Sequence, residues 1–222
     1  MTEKILSMLS PNGIIDKPYD DFSWQNGFPK YLAPIIEPLK KRTAVDIGAN
    51  YGKASLFFAE HFSKVVAFEV RKDLEECLKK NTTRYNNNVE VHMVGLGAKE
   101  ENVLLLKEDR LLASGNYSTG LSRIVDDRVP FKRHSIGDIK TLDSFNLKDV
   151  DLIKIDVEGY ELNVLKGAVE TIKQSKPLLI VEVRSDRNPE TVAPRKELFC
   201  LIKDLGYHLL DARTNDFIFE CK

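Results

Sequence analysis

Apolar and polar positions fall in blocks along this chain, and the period changes from block to block. Residues 43–47 and 64–70 are short, nearly continuous apolar runs that carry a carboxylate towards their ends, Asp46 and Glu69. Such runs predict parallel strands buried on both faces. Between them, residues 53–62 place apolar side chains at helical spacing, and residues 73–84 read as the next helix. Residues 89–94 alternate into a third strand that stops at Gly95-Leu96-Gly97. Residues 151–155 and 178–183 are two further apolar strands. A helix starts after Glu158-Gly159 and runs through Leu162, Val164, Leu165 and Ala168. The chain closes with a helix over 196–205, a turn at Gly206, and two short strands, 207–210 and 216–219, that form an antiparallel hairpin. Strand and helix alternating in this way predict an α/β fold on a mostly parallel sheet.

Two stretches break the rhythm. Residues 1–42 are punctuated by Pro11, Gly13, Pro18, Gly27, Pro29, Pro34 and Pro38, with Tyr19, Phe22, Trp24, Phe28 and Tyr31 between them. No helical or strand period shows there, so an N-terminal arm or lid (1–42) lying over a main domain (43–222) is expected. Residues 99–137 hold one extra strand, at 102–107. A small polar loop follows, over 112–122, suited to closing on a ligand, and then a segment carrying Arg133 and His134.

Composition narrows this picture. A chain of 222 residues with 42% hydrophobic and 30% charged side chains is long enough for one α/β domain with a core. A net charge of -1 offers no whole-chain attraction for nucleic acid or a membrane surface. Cys77, Cys200 and Cys221 are scattered and form no C-x-x-C pair, which argues against structural zinc or a disulfide framework. The N-terminus has no apolar run of signal-peptide or membrane-span length, and a cytoplasmic protein is expected.

The chemistry concentrates in two stretches. In Val45-Asp46-Ile47-Gly48-Ala49-Asn50-Tyr51-Gly52 a strand ends in an acid, turns on two glycines and restarts as a helix. This opens a nucleotide-binding unit, in which glycines permit close backbone approach to a ligand. A dinucleotide site wants G-x-G-x-x-G and a pyrophosphate on the helix N-terminus. Here Asp46 would repel a pyrophosphate and attract an ammonium or a ribose hydroxyl. The turn therefore suits S-adenosylmethionine, which has no phosphate and carries a positive amino group and sulfonium. Glu69, about 23 positions after Asp46, stands where such units present an acid to the ribose. Leu96 between its glycines suits the face of an adenine.

The second stretch is Ile153-Lys154-Ile155-Asp156-Val157-Glu158-Gly159-Tyr160-Glu161. Asp156 at the strand tip and Glu158 on the turn should face the crevice in which open α/β sheets bind ligands. Glu161 either joins them or only favours the helix N-terminus. His134 is a further proton-transfer candidate because it titrates near neutrality.

With both stretches in view, the chain resembles the FkbM-type family of S-adenosylmethionine-dependent methyltransferases. The resemblance rests on residues 45–52, on Ala67-Phe68-Glu69, on Thr141-Leu142-Asp143-Ser144-Phe145, and on residues 153–161 running on to Leu165-Lys166-Gly167-Ala168. It implies a Rossmann-like seven-stranded sheet, mostly parallel with an antiparallel final strand, and helices on both faces. It also implies methyl transfer to a hydroxyl oxygen. On that pattern Asp46, Gly48, Asn50 and Gly52 line the methionine part of the cofactor and Glu69 the ribose. Leu96 lies by the adenine and Asp156 near the methyl. Ala98 stands where relatives often carry an acid.

Expected acceptors are the hydroxyls of a sugar or another small molecule, with Asp156, Glu158 and His134 as proton acceptors in that order. Asp156 and Glu182 at neighbouring strand tips are too few ligands for a divalent cation, and no metal is expected. Three alternatives remain: a non-catalytic S-adenosylmethionine-binding module, a nicotinamide-dependent oxidoreductase, and a nucleic-acid methyltransferase. An acid-rich crevice weighs against the first, the missing glycine against the second, and the near-neutral charge against the third. Oligomeric state and acceptor identity are not encoded in these patterns.

Overall fold

The computed structural model describes residues 8–10, 13–15, 28–83, 88–106, 110–111, 117–118, 123–125, 134–183, 189–213 and 215–222. A short hairpin, β1 (Met8–Ser10) and β2 (Gly13–Ile15), precedes helix α1 (Phe28–Ile36). The first half of the main sheet follows as β3 (Thr43–Ile47), α2 (Lys53–His61), β4 (Lys64–Phe68), α3 (Glu75–Thr82) and β5 (Val89–His92). Short strands come next: β6 (Gly95–Leu96), β7 (Glu101–Leu106), β8 (Arg110–Leu111), β9 (Tyr117–Ser118), β10 (Arg123–Val125) and β11 (His134–Lys140). The second half is β12 (Val150–Ile155), α4 (Glu161–Lys166), α5 (Val169–Ser175), β13 (Leu178–Glu182), α6 (Pro189–Asp204), β14 (Tyr207–Arg213) and β15 (Asp216–Cys221).

Seven strands form one sheet in the order β14-β15-β13-β12-β3-β4-β5. Pairings among β13, β12, β3, β4 and β5 are parallel, and β15 runs antiparallel to both of its neighbours. The expected seven-stranded architecture with a reversed last strand is thus present. A second sheet, β10-β7-β11-β6, grows from the connection between β5 and β12. Gly95-Leu96 is therefore a strand rather than only a turn, paired in parallel with Ile139 and Lys140 of β11.

The alternation of side chains across the sheet sorts the core into two layers. Ala44, Val65, Leu152, Ile180 and Ile218 share one cluster with Leu32 and Ile36 of α1 and Ala54, Phe57 and Phe58 of α2. Val45, Val66, Ile153, Leu179 and Phe219 point the other way, onto Val164 and Leu165 of α4, Ile172 of α5, and Leu198 and Ile202 of α6. Helices cover both faces, as a parallel sheet requires.

Residues 28–36, placed within an arm of no regular period, are a helix despite Pro34 inside it. Leu32 and Ile36 lie one turn apart and are fully buried. Packing of that stripe outweighs the local proline penalty. The expected polar loop over 112–122 falls mostly outside the described residues.

Candidate active site

The glycine turn is built as its composition demands, but for a different physical reason than ligand approach. Gly48 has φ +84°, and a Cβ on it would lie 1.8 Å from the backbone oxygen of Asp156. Asp156 N in turn donates to Ile47 O at 2.9 Å. The tips of β3 and β12 are so close that only glycine fits between them. Gly52, φ +93°, faces Leu78 and Thr82 of α3, with a Cβ 2.9 Å from the Leu78 side chain. Asn50, between them, also takes a positive φ, +54°.

Glu69 ties this turn to β4. Its Oε2 accepts from Asn50 N at 2.7 Å and its Oε1 from Arg71 N at 2.9 Å. Burial pushes the carboxyl up from its usual range, and the two amides work against that rise. The Val70 amide also bonds to this carboxylate, so Glu69 is fixed at the tip of β4 beside the glycine turn. The Leu96 side chain is buried in the main core. What that position offers a ligand is therefore chiefly backbone.

Four carboxylates and one lysine meet on the α1/α2 face at the C-terminal tips of the central strands. Asp46 is fully buried, and its Oδ2 accepts from Ser55 Oγ at 2.6 Å. Among the described residues its Oδ1 has no hydrogen-bond partner, and it lies 4.0 Å from Lys154 Nζ. Lys154 donates to Asp156 Oδ2 at 2.8 Å. Burial alone would lower the Lys154 pKa, but Asp156 and Asp46 outweigh it and hold the group above the ordinary lysine value. Asp46 moves up with burial, opposed by Lys154 and Ser55. Asp156 keeps 29% of its side chain exposed, so a ligand can reach it.

Glu182, at the tip of β13, shares a hydrogen bond with Asp156 and is pushed up to about 8, first by burial and then by the Asp156 charge. Asp216, its register partner on β15, is also raised by burial and accepts from Tyr31 Oη of α1 at 3.2 Å. Arg213 lies over the Tyr31 ring, 5.6 Å from its centroid.

The remaining candidates separate. Glu158 sits on the turn after Asp156 with φ +56°, a strained conformation for a side chain of its size. Glu161 turns back to accept from Gly159 N at 2.7 Å, which assigns it to closing the start of α4. His134 opens β11 opposite Leu106, and its side chain lies outside the described residues.

Sequence reading gave no site role to Lys154, Asp216 and Lys53, and placed Tyr31 only among the aromatics of the arm. Lys154 was the detectable one, since a lone cation inside Leu152-Ile153-Lys154-Ile155 must be paired once buried. Lys53 opens α2 directly after Gly52, and burial lowers it to about 8. Among the described residues no group of three or more His, Cys, Asp or Glu is arranged to hold a metal ion. Equally, no helix among them is long and apolar enough to cross a membrane.

A glycine turn at the tip of the first sheet strand, an acid at the next tip and an acidic crevice at the fourth define a nucleoside-binding α/β unit of the seven-stranded type. The Methyltransferase FkbM domain matches residues 46–209, and the chain belongs to that family. It is 29% identical over 141 residues to Methyltransferase 1 of Beauveria bassiana, covering 55% of this chain and 57% of that protein. It is 27% identical over 147 residues to the hexuronic acid methyltransferase AglP of Haloferax volcanii, covering 66% and 58%. The crystal structure of an FkbM methyltransferase from Methylobacillus flagellatus superposes with a TM-score of 0.55 at 20% identity, covering 81% of this chain and 43% of that one. The chain thus spans less than three fifths of each of these relatives.

Proposed function

We propose that the protein is an S-adenosylmethionine-dependent methyltransferase acting on a hydroxyl oxygen of a saccharide or other small molecule. The observation that carries this reading is the charge of the crevice. Asp46, Asp156, Glu182 and Asp216 gather around the buried Lys154 at the strand tips, and Glu69 stands on the next tip with the buried Arg71 beside it. Such a site repels a pyrophosphate and favours a cationic nucleoside. Asp46 Oδ1, which has no hydrogen bond among the described residues, and the Glu69 carboxylate fit an ammonium and ribose hydroxyls.

Bound S-adenosylmethionine supplies an activated methyl group with a good leaving group. Asp46, with the backbone of Gly48, Asn50 and Gly52, holds its methionine end, and Glu69 holds the ribose. The Leu96 backbone lies beside the adenine. Asp156, reachable from the crevice, receives the acceptor's proton, with Glu158 and His134 as further candidates in the same role. Residues 43–222 form the cofactor-binding domain, and Tyr31 of α1 stands on the acceptor side. The similarity to a hexuronic acid methyltransferase supports a saccharide acceptor.

Calorimetric titration with S-adenosylhomocysteine, and with NAD as control, tests the reading. Binding of the first alone, weakened in Glu69→Gln, supports it. Binding of NAD alone overturns it.

A further inference from the structure

The overall reaction has a charge balance that the crevice mirrors. A sulfonium cofactor and a neutral alcohol become a neutral thioether, an ether and one proton. The site must therefore accept a cation, lose it, and take up a proton in the same turnover. Asp156 and Glu182 stand side by side at the tips of β12 and β13, because the register pairs Ile155 with Val181. Asp156 is bonded to Lys154, and its backbone packs against Gly48 of the cofactor turn. Two neighbouring carboxyl groups beside a single ammonium cannot both ionise cheaply, so one of them keeps a proton.

We propose that Asp156 and Glu182 act as one proton-holding pair, protonated on Glu182 when the crevice is free or holds S-adenosylhomocysteine and ionised when it holds S-adenosylmethionine. This rests on the cofactor assignment above. Arrival of the positive sulfonium expels the Glu182 proton to solvent. The pair is then a base made by the cofactor itself. During transfer the acceptor O–H bond breaks as the O–CH3 bond forms. The proton passes to Asp156, and the pair is left protonated beside a neutral product.

The assignment to Glu182 follows from its surroundings. Asp46 on β3 lies against Lys154, and Glu161 of α4 accepts from the Gly159 amide. Asp216 on β15 accepts from Tyr31 of α1, while Arg213 on β14 is paired with Asp211. Glu158 follows two residues after Asp156 on the turn, with a positive φ. Glu182 is the member of this group whose hydrogen bond runs to another carboxyl, and burial with the Asp156 charge favours its neutral form.

The test needs no acceptor. Titration of the protein with S-adenosylmethionine and with S-adenosylhomocysteine, at pH 7 in buffers of different ionisation enthalpy, counts protons released on binding. The proposal expects a substantial fraction of a proton for the first ligand and none for the second. It also expects S-adenosylmethionine affinity to rise between pH 6 and 8 by about tenfold for each unit that the cofactor lowers the pair's pKa.

In Glu182→Gln the amide still donates to Asp156 but cannot ionise, so the excess release disappears. The ligand's own amino group titrates alike in both proteins and cancels in the comparison. Equal release in wild type and Glu182→Gln overturns the proposal, as does release that vanishes in Asp216→Asn instead. If neither ligand binds the wild-type protein, the cofactor assignment falls first and the proposal with it.

Discussion

Asp46 and Lys154 face each other at one register position of neighbouring parallel strands, both buried, with Asp46 Oδ1 4.0 Å from Lys154 Nζ. The pair joins the glycine turn after β3 to the acid that follows β12. Taking one partner away leaves an uncompensated charge where water does not reach. Lys154→Met strands both Asp46 and Asp156 and is expected to destabilise the fold by about 3–5 kcal/mol. Adding Asp46→Asn removes part of that burden, so the double variant should lose less than the two single losses combined. Urea denaturation of the four proteins in this cycle measures the coupling, and simple additivity would show that the two residues do not interact.

Glu69 carries a different kind of constraint. Its two oxygens hold the amides of Asn50 and Arg71 on either side of the crevice. In Glu69→Gln one amide hydrogen must face another N–H, a loss of about 1–3 kcal/mol for an unmet buried donor. S-adenosylhomocysteine affinity should fall about tenfold to a hundredfold. Calorimetry alongside a thermal melt separates this loss from unfolding. A folded variant with wild-type affinity would remove Glu69 from the ribose site.

Gly48 tests how closely the two strand tips approach. Alanine there meets the Asp156 carbonyl at 1.8 Å and is also forced to a positive φ. Gly48→Ala should therefore cost more than about 3 kcal/mol or prevent folding. Gly52→Ala is also forced to a positive φ, but its close contacts are side-chain carbons of Leu78 and Thr82 at 2.9 and 3.1 Å, so it should cost less. The ranking of the two in denaturant midpoint checks the argument, and a reversed order refutes it.

The motif around Asp143 gives a contrasting case. Its Oδ1 accepts from the amide and the hydroxyl of Thr171, at 2.8 and 2.7 Å, and its Oδ2 from Glu170 N at 3.1 Å. These are the free amides that open α5. Asp143→Ala should cost about 1–2 kcal/mol of stability, as loss of a helix cap does. Ligand affinity should not change. A change in S-adenosylhomocysteine binding without a change in stability would give this motif residue a role in the site instead.

These cases explain which parts of the molecule were legible in the chain. Strands β3, β4, β12 and β13 announced themselves because carboxylates inside apolar runs leave few places except a strand tip. Asp46, Glu69, Asp156 and Glu182 were visible for the same reason. Helix α1 was hidden, because Pro29 and Pro34 mask a stripe whose burial is decided by Phe57 and Phe58 elsewhere in the chain. Asp156 beside Glu182 was anticipated from their strand tips, but the second neighbours of Lys154 and Glu182 were hidden. Asp46 meets Lys154 and Asp216 meets Glu182 only through sheet register, which no local pattern encodes. The reason for Gly48 was likewise a tertiary one, since the atom it avoids belongs to Asp156.

Glu182 also makes the stability of the free protein depend on pH. Its carboxyl ionises at an ordinary 4.5 when unfolded and at about 8 when folded. Between these values the native state holds a proton that the unfolded chain does not, so stability falls as pH rises. Its contribution is fully present below about 4.5 and is lost as pH rises through about 8. Asp151, lowered by its hydrogen bonds with Arg42, works in the opposite sense and only at acid pH. Urea denaturation from pH 5 to 8.5 should therefore show wild type losing stability relative to Glu182→Gln, with most of the change complete near pH 8. Parallel curves for the two proteins would mean that Glu182 is ionised in the native state, leaving Lys154 to balance Asp46, Asp156, Glu182 and Asp216 together.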